Sequence, residues 1–340
     1  MMTVLIAGIA GASLGTEIAK SLRLAGGYHI IGCHPSPLAF GHYSDLCDKT
    51  VRVSLDRYID HIVEISRKEH VQVIVPGAEE PMRLITAAAG RFSQEGIRLA
   101  MNSQDVVTRL ADKERCFIEL QRLGIAIPRT VAATELTMLD RVPFPCVIKP
   151  SVESGGSSFV LFARNREEAN LYATYLTVAG KRPIAQEYIA HANGEFTVGV
   201  LSGPDGTVLG VIAMERAFPA KLSIAFKGHD FLISGGSSQG HFDQYPSICE
   251  TARTIAVAVG SCGPLNIQGR VDKAGRFLPF EINPRFSATT YLRALAGFNE
   301  VDHFIRRLVG EEAPQLGLRR PGWYLRSLTE VVVPEGKLLS

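Results

Sequence analysis

The sequence has no strong excess of either charge and no long apolar run. Its 340 residues include 36 Lys and Arg against 34 Asp and Glu, a formal net charge of +2. A dedicated nucleic-acid binder usually carries a strong basic excess, so we expect no nucleic-acid partner. No apolar run approaches the roughly 18 residues of a membrane span, and the run at 4–9 lacks the basic flank of a signal peptide. We therefore expect a cytoplasmic protein without a membrane partner.

Paired cysteines and metal-binding histidine motifs are also missing. The six cysteines form no C-x-x-C pair, and the nine histidines form neither H-x-x-x-H nor H-E-x-x-H. Such spacings are typical of zinc sites, and dense cysteine frameworks are typical of small secreted domains. We therefore expect free thiols, and neither a zinc site nor a histidine-built metal centre.

The composition is that of a folded protein with more than one domain. Apolar residues make up 46% of the chain, and domains usually have roughly 100–200 residues, so two or three domains are expected. Strands predicted at 3–9, 30–33 and 71–75 alternate with helices at 14–24 and 58–68, which indicates a doubly wound parallel sheet. From a helix at 112–123 onward, strands joined by short turns indicate α+β structure with antiparallel sheets.

A glycine-rich turn, Gly8-Ile-Ala-Gly11-Ala-Ser-Leu-Gly15, joins the first strand to the first helix. This is the context of a dinucleotide-binding turn, so an NAD-dependent oxidoreductase is one hypothesis. The spacing departs from G-x-G-x-x-G, however, and the second strand ends without an acidic residue for a ribose. The alternative is that the glycines let the helix pack closely on the strand, and we favour it.

Lys149 and a glycine-rich loop follow one another in the middle of the chain. Lys149 ends the strand predicted at 146–149, and the loop Ser-Gly-Gly-Ser-Ser at 154–158 precedes another strand. Successive backbone N–H groups at such a tip and a lysine charge suit phosphate oxygens. A plain loop is the alternative for the glycines alone.

Two glutamates follow in and after the strand at 184–189. The backbone edge near Glu187 could pair with a purine ring, and Glu195, eight residues later, could accept hydrogen bonds from ribose hydroxyls. A solvent-facing turn is the alternative explanation for Glu195.

The most specific pattern is Phe-Glu281-Ile-Asn283-Pro-Arg285. Side chains two apart on a strand share a face, so Glu281 and Asn283 point together. Two oxygen ligands on one face suit Mg²⁺, which takes carboxylate and phosphate oxygens. Arg285 adds a permanent charge whose shape fits phosphoryl oxygens.

Gln268, on the preceding strand, is a candidate third ligand. If Asp272 lies opposite Phe277 across the intervening hairpin, Gln268 lies opposite Glu281 on the same face. A register slip of one residue would move Gln268 to the other face.

Together these residues resemble the ATP-grasp superfamily, and most closely its carbamoyl-phosphate-synthase-like branch of carboxylate–amine ligases. The resemblance covers roughly residues 112–300. It implies an α/β plus α+β fold, in which a doubly wound parallel-sheet domain over 1–105 precedes a two-lobed ATP-grasp fold. The lid-bearing lobe would cover 106–182, the metal- and substrate-binding lobe 183–311, and a C-terminal tail 312–340.

The resemblance implies ATP and Mg²⁺ (or Mn²⁺) as cofactors and gives roles to individual residues. These are Lys113 and Lys149 for the ATP phosphates, Gly155, Gly156 and Ser157 for the lid loop, Glu187 and Ile189 for adenine, Glu195 for the ribose, Gln268, Glu281 and Asn283 for the metal, and Arg285, with Lys149, for the reacting phosphoryl group. Many such enzymes have a carboxylate where this chain has Gln268, which leaves the number of metal ions open.

The reaction implied is an ADP-forming ligation. A small-molecule carboxylate is activated as an acyl phosphate, and an amine or ammonia then displaces phosphate to form a carbon–nitrogen bond. An ATP-binding sensor or scaffold without turnover is the alternative that Gln268 keeps open, beside the oxidoreductase above. The expected partners are the two small-molecule substrates, and a homodimer is the default assembly.

The segment at 216–229 carries Arg216, Lys221 and Lys227 and no acid. We hypothesise that it recognises a carboxylate or phosphate of the substrate; a solvated basic loop is the alternative. Arg293, on the helix predicted after the metal motif, is a further candidate for a substrate anion.

Glu79 and Glu80 follow the strand that ends near Pro76. A doubly wound sheet binds its ligands at that edge, so these carboxylates could hold an ammonium group. The start of a surface helix explains them equally well.

Overall fold

The computed structural model describes residues 1–152, 159–218 and 221–339. Its N-terminal part alternates short strands with helices, as the sequence predicts. These elements are β1 (Met2–Ala7), α1 (Leu14–Ala25), β2 (Tyr28–His34), β3 (Lys49–Arg52), α2 (Tyr58–Lys68), β4 (Val73–Pro76), α3 (Glu79–Ala87), α4 (Ala89–Gln94) and β5 (Arg98–Leu99).

The five strands form a parallel sheet in the order β3-β2-β1-β4-β5. Ile18 and Leu22 of α1 pack against one face of the sheet, and Ile62 of α2 and Ile85 of α3 pack against the other. Burial on both faces explains why β1 and β4 are almost wholly apolar. The predicted doubly wound sheet is confirmed.

Two capped helices and an antiparallel sheet follow. They are α5 (Gln104–Ala111), α6 (Lys113–Arg122), β6 (Thr130–Ala132), β7 (Cys146–Pro150), β8 (Leu161–Ala163), α7 (Arg166–Val178) and β9 (Pro183–Glu187), with the strand order β6-β9-β7-β8. The apolar face of α7 covers this sheet through Ala169, Ala173 and Leu176.

The rest of the described chain forms a larger antiparallel sheet, a two-stranded ribbon and three helices. Its elements are β10 (Glu195–Ser202), β11 (Val208–Arg216), β12 (Ile224–Lys227), β13 (Leu232–Ser234), β14 (Gly240–Asp243), α8 (Pro246–Ala258), β15 (Pro264–Val271), β16 (Phe277–Asn283), α9 (Thr290–Leu295), α10 (Glu300–Val309) and β17 (Gly322–Tyr324). The large sheet has the order β16-β15-β10-β11-β14-β17, and β12 pairs with β13.

Two strands lie across the boundaries expected from the sequence. β9 was expected to open the third region at 183, but it hydrogen-bonds to β6 and β7 of the middle sheet. β17 lies in the expected tail and forms the edge of the large sheet beside β14. A division of the chain by its sheets therefore falls between β9 and β10, and it leaves 322–324 with the last region.

The cysteines were expected to be free thiols. All six cysteines are free. Within the described ranges, no helix combines the length and the apolar character needed to cross a bilayer.

Candidate active site

The main cleft lies where the parallel sheet, the middle sheet and the large sheet approach one another. It encloses about 1080 Å³, a volume that includes its open mouth. Its walls come from β7, β9, β15 and β16, and from the loops that follow β4, β9, β13 and β16. Residues far apart in sequence therefore meet in one space.

Side-chain oxygens and amides form the wall contributed by β15 and β16. Gln268 lies opposite Glu281, as predicted, and Asn266 lies opposite Asn283. All four residues line the cleft. Because opposed side chains in an antiparallel pair have Cβ atoms about 4.5–5.5 Å apart, this wall concentrates one carboxylate and three amides in a small volume.

The register behind this pairing differs from the predicted one. Val271, and not Asp272, lies opposite Phe277, so the assumed hairpin register is wrong by one residue. A β-bulge then inserts Phe280 as an extra residue on β16 and restores the predicted pair.

Lys149 is held beside this wall by the same bulge. Its Nζ donates to the carbonyl oxygen of Phe280 at 2.9 Å and to Oε1 of Gln186 at 2.8 Å. Burial lowers the pKa of Lys149 to about 7; the charge of Lys113 acts in the same direction, and the carboxylate of Glu281 opposes it. An anion entering the cleft would favour the charged form of this lysine.

Lys113 is the first residue of α6 and also lines the cleft. The Asp112 carboxylate caps this helix by accepting from the backbone N–H groups of Glu114 and Arg115. The Lys113 N–H donates to the carbonyl of Ser151 at 2.9 Å, which ties the helix to the end of β7. The lysine charge and the helix N-terminus together make this end of the cleft favourable for anions.

The residues after β9 form the more apolar end of the cleft. Glu187 and Ile189, the two residues that the resemblance assigns to adenine, line it beside Val147 and Ile233. The Ile189 carbonyl accepts from Nη1 of Arg270 at 2.7 Å, which fixes the backbone of this segment. This end therefore combines apolar walls with a positioned backbone edge.

Glu195 does not line the cleft. Its side chain is fully buried, with Oε1 accepting from Arg216 at 2.9 Å and Oε2 accepting from Arg270 at 2.7 Å. Burial alone would raise the pKa of Glu195, but the two arginines outweigh it and hold the pKa below its usual range. The structure therefore contradicts the predicted ribose contact, because the Glu195 side chain is fully buried and both of its oxygens are already bonded to arginines.

Two arginines expected to bind a substrate anion are buried in ion pairs instead. Arg216 donates to Glu195 and to the carbonyl of Gly235 at 2.7 Å. Arg293 donates to Glu300 at 3.0 Å and to Oδ1 of Asn266 at 2.6 Å, with its side chain fully buried. Neither guanidinium lines the cleft, so both predictions are wrong, although Arg293 orients Asn266, which does line it.

The remaining basic candidates divide in two. Lys227 is exposed on β12 and does not line the cleft. The side chain of Lys221 and the lid-loop residues Gly155, Gly156 and Ser157 lie outside the described part of the chain.

Arg285 and Glu79 meet across the cleft. Nη2 of Arg285 donates to Oε1 of Glu79 at 3.2 Å, and both residues line the cavity. Glu80 instead bonds Arg83 at 2.7 Å on the surface and lies outside the cleft. Of the two glutamates predicted at this sheet edge, Glu79 therefore lines the cleft and Glu80 does not.

The glycine turn after β1 serves the packing of the helix on the strand. A Cβ on Gly15 would lie 1.7 Å from the carbonyl oxygen of Gly8, and a Cβ on Gly77 would lie 2.1 Å from the same oxygen. Gly8 itself has a φ of +109°, a conformation that L side chains rarely adopt. These contacts support the packing role over a dinucleotide site.

The donor set on β15 and β16 fits a hard divalent cation. It offers the Glu281 carboxylate with the amide oxygens of Gln268 and Asn283, and all three residues line the cleft. The described residues contain no group of three His, Cys, Asp or Glu that could hold a metal by themselves. One carboxylate with neutral oxygens is the arrangement expected where a substrate's phosphates complete the coordination of Mg²⁺.

Several polar cleft residues were missed from the sequence. These are Thr197, Ser234, Ser238, Asn266, Arg270 and Ser287. Asn266 and Arg270 lie two residues on either side of Gln268, so strand alternation places them on the same face and was the available signal. The serines come from segments without a comparable spacing.

Residues 186–331 match the family model described as ATP-grasp in the biosynthetic pathway with Ter operon. The matched segment contains the complete β15–β16 wall and Arg285. Curated relatives include the carbamoyl phosphate synthase large chains of Rubrobacter xylanophilus and Vibrio cholerae, each 25% identical, over 76% and 83% of this chain. The chain spans only about a quarter of their length, 24% and 26% respectively.

Solved structures share the architecture. The match to an L-amino acid ligase from Bacillus licheniformis covers 91% of this chain and 74% of the ligase chain, with a TM-score of 0.70 and 16% identity. The match to the N5-carboxyaminoimidazole ribonucleotide synthetase of Thermotoga maritima covers 94% of this chain and 79% of the synthetase chain, with a TM-score of 0.66 and 18% identity. The fold expected from the sequence is thus confirmed, and the chain is similar to an ATP-grasp family over 186–331 and, over most of its own length, to the carbamoyl phosphate synthase large chain.

Proposed function

We propose that this protein is an ADP-forming ligase that activates a small-molecule carboxylate with ATP and joins it to an amine or ammonia. The carboxylate becomes an acyl phosphate, and the nitrogen nucleophile then displaces phosphate. Relatives and structural neighbours that carry synthase, ligase or synthetase names support this class of reaction.

The observation that carries the proposal is the distribution of charge in the cleft. Lys113, Lys149 and Arg285 line the same cavity as Glu281 and the side-chain amides beside it. In a chain with a formal net charge of only +2, such a local concentration of cations suits a triphosphate. The apolar end near Ile189 has the character required for a nucleotide base.

Each wall would contribute to catalysis mainly by positioning. Lys149 and Lys113 hold phosphate oxygens, and Arg285 neutralises charge on the phosphoryl group as it moves to the substrate. Gln268, Glu281 and Asn283 would hold Mg²⁺, which supplies further neutralisation of phosphate charge when it is bound. Holding two reactants in the right geometry can account for about 7–11 kcal/mol of the barrier reduction.

An ADP-release assay tests the proposal. The protein is incubated with ATP, Mg²⁺, a panel of amino acids and small carboxylates, and ammonium chloride. We expect ADP release from the wild type and its loss in Glu281→Ala. Glu250→Ala is the matched control, because Glu250 is exposed on α8 and forms an exposed ion pair with nearby Arg253. Formation of AMP and pyrophosphate would contradict the acyl-phosphate mechanism.

A second candidate function is ATP sensing or scaffolding without turnover. It is favoured by the single carboxylate among the three proposed metal ligands, since weak metal binding would permit nucleotide binding with slow chemistry. This candidate predicts tight ATP binding and no ADP release with any member of the panel. The two functions therefore differ in the same assay.

A further inference from the structure

One acidic side chain connects the parallel-sheet region to the cleft. Of residues 1–105, all of which the structure describes, Glu79 is the one that lines the cavity. Its position follows from the backbone: β4 ends at Pro76, and α3 begins three residues later with Glu79. This first residue of α3 reaches Arg285, which follows β16.

Three carboxylates line the described part of the cleft, and two of them already have a place in its walls. Glu281 stands in the β15–β16 wall opposite Gln268. Glu187 lies at the apolar end, where its Oε2 accepts from the backbone N–H of Arg129. The third, Glu79, contacts Arg285, the cation proposed to face the reacting phosphoryl group.

The ion pair between Glu79 and Arg285 is easily exchanged for ligand contacts. Their side chains are 45% and 21% exposed, and the single hydrogen bond is 3.2 Å long. Exposed pairs of this kind contribute little to stability. A bound anion can therefore take the guanidinium while a bound cation takes the carboxylate, with the two ligand charges side by side.

We infer that Glu79 binds the ammonium group of the acceptor amine next to Arg285 and accepts its proton, an inference that rests on the proposed ligase function. The ammonium gives one proton to the carboxylate, and its freed lone pair forms the carbon–nitrogen bond. The bond between the acyl carbon and the phosphate oxygen breaks, and the departing phosphate takes the second proton released from nitrogen. The partly exposed Glu79 then returns its proton to water.

If Glu79 has this role, the nucleophile is a cation before it reacts, namely a protonated primary amine or ammonium. A nucleophile that is uncharged at neutral pH does not need Glu79. Hydroxylamine is such a probe, because it is largely neutral there and converts acyl phosphates into hydroxamates that can be measured by colour with ferric iron.

The experiment compares Glu79→Gln with Glu80→Gln, the neighbouring residue outside the cleft. Each is assayed with ATP, Mg²⁺ and the panel of amino acids, small carboxylates and ammonium chloride, with and without hydroxylamine. We expect Glu79→Gln to lose about tenfold or more of the ADP release without hydroxylamine, the loss expected for a hydrogen bond to a charged group. Hydroxylamine should restore turnover, Glu79→Asp should retain part of the original rate, and Glu80→Gln should behave as the wild type.

Equal effects of Glu79→Gln on both reactions, or no effect on either, would overturn the role of Glu79 and leave the ligase function standing. Absence of ADP release from the wild type with and without hydroxylamine would instead overturn the ligase function, and this inference with it.

Discussion

Nucleotide binding should protonate the side-chain amine of Lys149. With a pKa of about 7 in the free protein, about nine in ten Lys149 side chains are neutral at about pH 8, and about one in ten at about pH 6. Phosphate oxygens favour the charged form. Binding of ADP should therefore take up about 0.9 proton at the higher pH and about 0.1 at the lower.

The sign of the pH dependence follows directly. Because the complex holds a proton that the free protein has lost, affinity falls as pH rises above about 7, by up to about tenfold for each pH unit. The fall ends where the lysine in the complex begins to lose its own proton. Below about pH 6, Lys149 makes no further contribution to this dependence.

Titration calorimetry in two buffers with different ionisation enthalpies measures the proton uptake. Lys149→Arg is the decisive variant, since arginine stays charged before and after the nucleotide binds. Subtracting the proton uptake of this variant from that of the wild type removes the protons that the nucleotide itself takes up. Lys227→Arg, at an exposed lysine outside the cleft, is the matched control and should leave the uptake unchanged. Equal uptake by the wild type and Lys149→Arg at about pH 8 would refute the reasoning, because it would mean that the buried lysine is already charged before the nucleotide arrives.

Two predictions concern stability, and urea or thermal unfolding measures both. Gly15→Ala should destabilise the fold by about 1–3 kcal/mol or more through overpacking, whereas Gly90→Ala, with open space around the new methyl group, should be neutral or stabilising by up to about 1 kcal/mol. Arg293→Met should cost about 3–5 kcal/mol because it leaves the buried Glu300 carboxylate without its cation. Arg253→Met, which breaks an exposed pair on α8, should cost less than about 1 kcal/mol, and similar losses for the two arginine variants would contradict the assigned burial.

Long periodic segments could be predicted from the sequence with small errors. The helix predicted at 58–68 has those bounds, and the strands around 195, 208, 265 and 277 are shifted by one or two residues at most. β3 and β5 were missed, because they have four and two residues and lie at the edges of the parallel sheet. A short edge strand buries too little to show an apolar pattern. β17 was missed for the same reason, within a segment interrupted by proline and glycine.

The cleft could be predicted where spacing alone decides the face of a strand, as for Glu281 and Asn283. It could not be predicted where a charged residue has its partner far away in sequence. Glu195 meets Arg270 75 residues later, and that pairing, which no local pattern reveals, turns a candidate ribose ligand into a structural carboxylate. The same holds for Arg216, whose guanidinium completes the cluster.

The bulge at Phe280 shows how much of the site depends on the core behind it. Without the extra residue, the ladder that begins at Val271 and Phe277 would place Glu281 opposite Ile267, in the apolar core. A carboxylate there would be strongly unfavourable. With the bulge, Ile267 pairs with Ile282 in that core and Glu281 turns to the cleft. The apolar residues on this side of the sheet therefore select the irregular register, and the carbonyl it displaces is the one that holds Lys149.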